Sequence, residues 1–231
     1  MKASNVLAIL CLAGSSLSAM AADTASLNER ITAATAVIRQ IQATPDKGIP
    51  DSITRQATCV GVIPSVKKAA FIVGGSYGQG VVTCRTAKGW SAPVFIRLAG
   101  GSVGFQIGGQ ATDLILVAVN DQGFQSLLKS KFKIGADAAA SAGPVGRNAA
   151  AGTDLKLNAQ LLTYSRSKGL FAGIDLNGAV VSQNTDDTDA FYGGSGQNFD
   201  TILHGKVPVP AAARPFVRTV AGYFKAAVAA K

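Results

Sequence analysis

The sequence predicts an α+β fold, mostly antiparallel β with a barrel- or sandwich-like sheet, an N-terminal amphipathic helix and short C-terminal helices. Three observations predict it. Apolar residues recur at helical spacing ahead of Pro45, a glycine-punctuated β texture fills residues 59 to 119, and short helical patterns return after residue 186.

Ser26-Leu27-Asn28-Glu29 has the Ser-x-x-Glu form of a capping box, and Leu27, Ile31, Ala34, Ile38 and Ile41 then share one helical face. A second short helix is expected after Asp51, whose carboxylate can cap it. Strands are expected at Cys59 to Ile63, Ala69 to Val73, Gly80 to Arg85, Val94 to Leu98, Val103 to Ile107 and Leu114 to Val119. Later ones are expected at Lys156 to Tyr164, Leu170 to Leu176 and Ala179 to Ser182. Asn177-Gly178, between the last two, reads as a two-residue hairpin turn because both positions want φ > 0. Asp187 to Tyr192 and Phe199 to His204 read as short helices. Pro215 opens a C-terminal helix with Val217, Val220, Phe224 and Val228 on one side, a stripe whose spacing favours docking on the core over lying on a membrane. No linker composition divides the chain, so residues 22–231 read as one domain: a helical lead-in (26–57), a β core (58–183) and a helical tail (186–231).

Residues 1–21 read as a cleavable signal peptide. Met1-Lys2 supplies positive charge, Val6 to Leu17 a short apolar stretch, and Ala19-Met20-Ala21 small residues where a signal peptidase reads, with the cut before Ala22. The apolar stretch is about a dozen residues, short of the roughly 20 that span a bilayer. The expected location is the periplasm or cell envelope, peripheral to a membrane. Cys11 leaves with the signal, and Leu10 stands before it where a lipoprotein site wants a small residue. Cys59 and Cys84 remain, an even pair in an oxidising compartment, and a disulfide between them is expected.

The formal net charge of +9 is unevenly spread. No acidic residue lies between Asp51 and Asp113, a window that holds Arg55, Lys67, Lys68, Arg85, Lys88 and Arg97. A second acid-free stretch after Asp200 holds Lys206, Arg214, Arg218, Lys225 and Lys231. Such asymmetry fits either a basic solvated face or an anionic partner, and outside a cytoplasm the abundant polyanion is membrane lipid rather than nucleic acid. Lys67, Lys68, Arg85, Lys88 and Arg97 are therefore candidate lipid-binding cations, Trp90 is a candidate for the headgroup level with a core anchor between strands as the alternative, and Arg166 and Lys168 are secondary.

Chemistry finds little support. Gly74 to Gly78 and Gly100 to Gly104 both satisfy G-x-S-x-G, placing Ser76 and Ser102 as nucleophiles, but strand-like residues follow each where a nucleophile elbow needs a helix. The single histidine, His204, ends a short helix, where an imidazole meets the last carbonyls. No phosphate loop or Cys/His cluster occurs, and Asp186-Asp187-Thr188-Asp189 reads as a helix N-terminus, not a calcium loop. No catalytic residue, metal or cofactor is expected.

A further signal is cumulative. Cys59-Val60-Gly61-Val62-Ile63-Pro64, Lys67 to Gly75, Gly78-Gln79-Gly80-Val81, Gly89-Trp90-Ser91-Ala92-Pro93, Gly100 to Gln110 with Thr112-Asp113, Gly143-Pro144-Val145-Gly146-Arg147, Tyr164 to Gly173 and Phe191-Tyr192-Gly193 follow one another in an order and spacing that resembles the SYLF domain, over about residues 30 to 195. The resemblance implies a non-catalytic lipid-binding module. Eukaryotic members bind phosphoinositides, partly through an amphipathic helix at the start of the domain, and some bind actin and carry an SH3 domain. This sequence instead has a signal peptide, no SH3 region, and few, mixed charges on its first helix (Glu29, Arg30, Arg39). The implied partner is an anionic or phosphoinositide-like headgroup at a membrane surface, with an envelope protein as the alternative; actin is not expected.

Overall fold

In the computed structural model, residues 24–43, 48–70, 73–103, 111–146, 159–167 and 170–225 are described. Residues 1–21, expected to be a signal peptide, the rest of the strand expected at 103–107, Lys156 to Asn158, Lys168 and Val228 lie outside them. The fold is α+β, as the sequence predicts. Ten strands form one sheet in the order β6-β10-β4-β2-β1-β5-β8-β7, with β3 added to β2 and β9 to β8. All described pairings between strands are antiparallel except β7 with β8, an isolated parallel bridge joins Ile134 to Ala138, and the sheet curls into a half-barrel.

Helix α1 (24–42) buries Leu27, Ile31, Ala34, Val37, Ile38 and Ile41, each no more than 3% exposed, against the sheet. Residue 24 is already helical, so Ser26 lies inside α1 and not at its cap. Asp51 is likewise the first residue of α2 (Asp51–Gln56), behind Pro50, and pairs with Arg55 at 3.7 Å rather than capping.

Strand β1 (Cys59–Ala70) carries the expected Cys59–Ile63 strand on to Ala70, and Val73, the end of the strand expected at Ala69 to Val73, already opens the next strand. Strand β1 passes Pro64-Ser65 through a bulge in which Ser65 takes φ 51° and its N–H donates to Asp113 Oδ1 at 2.9 Å. Strands β2 (Val73–Thr86), β3 (Gly89–Trp90) and β4 (Val94–Val103) follow, and β4 runs straight through Gly100-Gly101, which pair with Ser76 and Gly75 of β2. After β5 (Ala111–Ala118) come three elements that no sequence pattern announced: α3 (Asp121–Leu128), β6 (Lys131–Lys133) and β7 (Ala140–Ala142). Asn120 caps α3, its side chain accepting from Gly123 N.

Strands β8 (Leu161–Ser167), β9 (Leu170–Gly173) and β10 (Val180–Gln183) correct the hairpin expectation. Gly178 does turn the chain with φ 89°, but β9 pairs with β8, whereas β10 inserts between β4 and β6. The turn is instead held locally, by Asp175 accepting from Asn177 and by Gly178 N donating to Ile134 O at 2.9 Å. In the tail, α4 (Thr185–Phe191) carries Asp186 and Asp187 in its first turn, α5 (Phe199–Leu203) ends at His204, and α6 (Arg214–Tyr223) docks on the core through Phe216 and Val220.

Two apolar layers result. One packs α1, α2 and α6 on Val60, Val62, Val81, Phe95, Ile115 and Val117; the other packs α3 and α5 on Ile63, Val82, Ile96, Leu116 and Phe132. Cys59 and Cys84 face one another across β1 and β2, both fully buried and bonded, with Cα atoms 4.0 Å apart. Replacing both by alanine is expected to cost about 3 kcal/mol, read as a lower urea midpoint, because the bond closes a loop of 25 residues' separation in the unfolded chain.

Burial pushes the Tyr164 and Tyr192 phenols up and that of Tyr223 up to about 12. The neutral phenol is the folded form, so its contribution is complete below the ordinary tyrosine value near 10 and is lost as pH rises through the folded value. Unfolding temperature is expected to hold to about pH 10 and fall above it, with phenolate absorbance appearing together with unfolding.

Candidate functional site

The strands run beyond the helices that cover them. Along β2 the residues facing the α1 layer change from Val81, fully buried, to Gln79 and then Tyr77, which is 50% exposed. Register carries this change sideways, since directly paired residues project from the same face. Gln79 pairs with Arg97, Arg97 with Ser182 and Ser182 with Lys131, a polar row across β2, β4, β10 and β6. One step further out, Lys67 pairs with Tyr77, Tyr77 with Ala99, Ala99 with Val180 and Val180 with Lys133. Lys67, Tyr77, Ala99, Lys131 and Lys133 are exposed. Four strand spacings of about 4.8 Å make the outer row, from one lysine-bearing end to the other, roughly 19 Å long when followed along the curled sheet.

Most carboxylates near this face are committed. Arg30 of α1 donates to Asp187 and, at 2.9 Å, to Gln79 Oε1, with its guanidinium 5.5 Å from the Phe95 ring centre. Asn184 donates to Asp187 and accepts from Arg97 at 2.6 Å; Arg97 also lies 3.7 Å from Asp186. On the other flank Arg166 pairs with Asp113, whose second oxygen holds Ser65 N. Among the described residues no carboxylate comes within ion-pair distance of the Lys67, Lys131 or Lys133 ammonium group, although Asp137 accepts from the Lys133 backbone N–H at 2.7 Å. A groove of about 360 Å³ opens from this row toward α1, between Glu29, Arg30, Ser65, Lys67, Tyr77 and Gln79.

The structure sorts the residues singled out in the sequence. Lys67 and Arg97 lie on this face. Lys68 pairs with Ser76 through its backbone, with its side chain outside the described set, as is the whole of Lys168. Arg166 is spent on Asp113. Arg85 and Trp90 are corrections: they belong to the interior at the opposite end of β2. Arg85 donates to the carbonyls of Ala57 and Phe224 at 3.0 Å and stacks 4.8 Å from the Trp90 ring centre, and burial lowers its pKa. Trp90 is 8% exposed and meets Phe224 edge-on, so it seats the C-terminal helix and cannot reach a headgroup layer. Lys88 is exposed on the β2–β3 turn beside them. Lys131 and Lys133 went unselected; the only local sign is Lys-Phe-Lys, a strand-period alternation around buried Phe132.

Ser76 and Ser102 sit within paired strands, and Ser76 Oγ donates to Gly100 O at 3.3 Å, so neither occupies a strand-to-helix elbow. His204 Nδ1 lies 2.8 Å from Asp200 O at the end of α5. Among the described residues no three His, Cys, Asp or Glu side chains gather as a metal site, and no helix is long and apolar enough to cross a membrane.

A family profile described as "Ysc84: Las17-binding protein actin regulator" matches residues 99–223, more than half of the chain. The chain belongs to the Ysc84, or SYLF, family. SH3 domain-containing YSC84-like protein 1 of Rattus norvegicus is 37% identical over 171 residues, covering 73% of this chain and 50% of that protein. Its Homo sapiens counterpart is 35% identical over 171 residues, 73% of this chain and 49% of its own. Protein YSC84 of Saccharomyces cerevisiae is 33% identical over 177 residues, 75% of this chain and 37% of that protein. The Ysc84-family chain therefore spans half or less of the length of these curated relatives. None of these three names is that of an enzyme.

Proposed function

We propose that this Ysc84-family protein is an exported, non-catalytic module that attaches reversibly to anionic membrane lipid in the periplasm or cell envelope. The observation that supports it is the uncovered end of the sheet, where Lys67 and Lys133 stand in register with Tyr77, and Lys131 in the adjacent row, their ammonium groups without carboxylate partners among the described residues. Each cation close to an anionic bilayer contributes on the order of 1 kcal/mol, so three give about 3 kcal/mol: attachment that is weak, reversible and sensitive to salt. Tyr77 supplies the aromatic ring at headgroup level that Trp90 cannot. The apolar leader and the buried Cys59–Cys84 bond support passage to an oxidising compartment.

Co-sedimentation of the protein lacking residues 1–21 tests this reading. Vesicles of phosphatidylcholine with phosphatidylglycerol are expected to pellet it, phosphatidylcholine alone is not, and raised salt is expected to release it. Equal pelleting with both vesicles, or pelleting indifferent to salt, would count against it.

The family description favours a second reading, in which the same face meets a protein of the envelope. Recovery of one stoichiometric envelope partner together with no vesicle binding would select it.

A further inference from the structure

We infer that the bilayer is met by the uncovered sheet end while α1 stays on the fold, so that the protein reads the charge density of an anionic membrane and not one headgroup. This rests on the membrane reading above.

Helix α1 has nothing apolar to offer a bilayer from where it sits. Its apolar stripe is buried in the layer with Val60, Val62, Phe95 and Ile115, and swinging the helix out would expose its share of that layer to water. Its outward positions, among them Glu29, Thr32, Ala33, Ala36, Arg39 and Gln40, are small or polar throughout. Arg30 fastens the same helix to two separate elements, α4 through Asp187 and β2 through Gln79. The helix is a fixed cover.

The sheet end has the opposite character. Its cations stand at the two ends of a row roughly 19 Å long, wider than any single headgroup, with Tyr77, Ala99 and Val180 as a shallow strip between them. Charges so far apart engage several lipids at once, and the groove beside Lys67 is no phosphate cradle, because Arg30 and Gln79 are hydrogen-bonded to each other there and the Glu29 carboxylate lines it as well. The complementary partner is an extended anionic surface. Affinity follows how many charged lipids the surface presents.

Two measurements on the protein lacking residues 1–21, bound to phosphatidylglycerol vesicles, test this. Acylation footprinting is expected to show Lys67, Lys131 and Lys133 shielded and Lys88 and Lys206 still reactive, while hydrogen exchange over residues 24–42 stays as in the free protein. Phosphatidylserine or phosphoinositide vesicles of matched surface charge are expected to bind within about threefold of phosphatidylglycerol. Loss of protection in α1, shielding at Lys88 instead of the sheet end, or a preference of more than about tenfold between headgroups at matched charge would overturn the inference and leave the membrane reading standing. No binding to any anionic vesicle would overturn both.

Discussion

Gly80→Ala is expected to leave the protein largely unfolded. A Cβ at this position would lie 2.1 Å from Val62 O and 2.8 Å from Ile63 Cα, both backbone atoms of β1 at the start of its bulge. Flexible side chains can turn aside; this backbone cannot, because β5 holds β1 in register from the other edge. The clash must therefore open one ladder or the other. A cost of about 4 kcal/mol or more, at the far end of what single substitutions do, would remove much of the stability of an ordinary domain. Gly75→Ala is the matched control: the nearest atom to its Cβ is 3.9 Å away, the position is exposed, and the change is expected to stay within about 0.5 kcal/mol. Denaturant unfolding of the two variants reads the difference directly.

Reversing the charge of the sheet end is expected to abolish membrane attachment while leaving the fold intact. Lys67, Lys131 and Lys133 are exposed, and no ammonium group of theirs pairs with a carboxylate among the described residues, Asp137 meeting only the Lys133 backbone N–H, so K67E/K131E/K133E breaks no described ion pair. Losing about 3 kcal/mol of attraction lowers affinity more than a hundredfold, and three new negative charges add repulsion. The far-ultraviolet spectrum and unfolding midpoint are expected to match the parent closely.

What the sequence disclosed divides along physical lines. The α1 stripe was readable because five apolar residues at helical spacing have one structural use, and the core docking of α6 was readable for the same reason. Residues 121–142 were not, because α3 holds Gly123 and β6 and β7 are three residues each, too short to show a period. Pro64 and Gly100-Gly101 suggested breaks; strand pairing on both sides carried β1 and β4 through them. Asn177-Gly178 formed its turn as chemistry dictates, yet a turn cannot specify which strands pair beyond it.

The site was half readable. An acid-free window marked Lys67 and Arg97, but it also swept in Arg85 and Trp90, which two-residue strand β3 folds back into the interior beneath Phe224. Lys133 joins Lys67 only through β10, β4 and β2, a relation that exists in the register of the sheet and nowhere along the chain.

Position, and not net charge alone, is what the structure adds, and one comparison separates them. Arg39, Arg214 and Arg218 are exposed on α1 and α6, away from the sheet end, so R39E/R214E/R218E changes net charge as much as K67E/K131E/K133E does. The measurement is the affinity of both triple variants and the parent for phosphatidylglycerol-containing vesicles at one moderate ionic strength. Docking through the sheet end predicts that the arginine triple stays within about tenfold of the parent while the lysine triple falls by more than a hundredfold. Equal losses in the two variants, or a greater loss in the arginine triple, would contradict it.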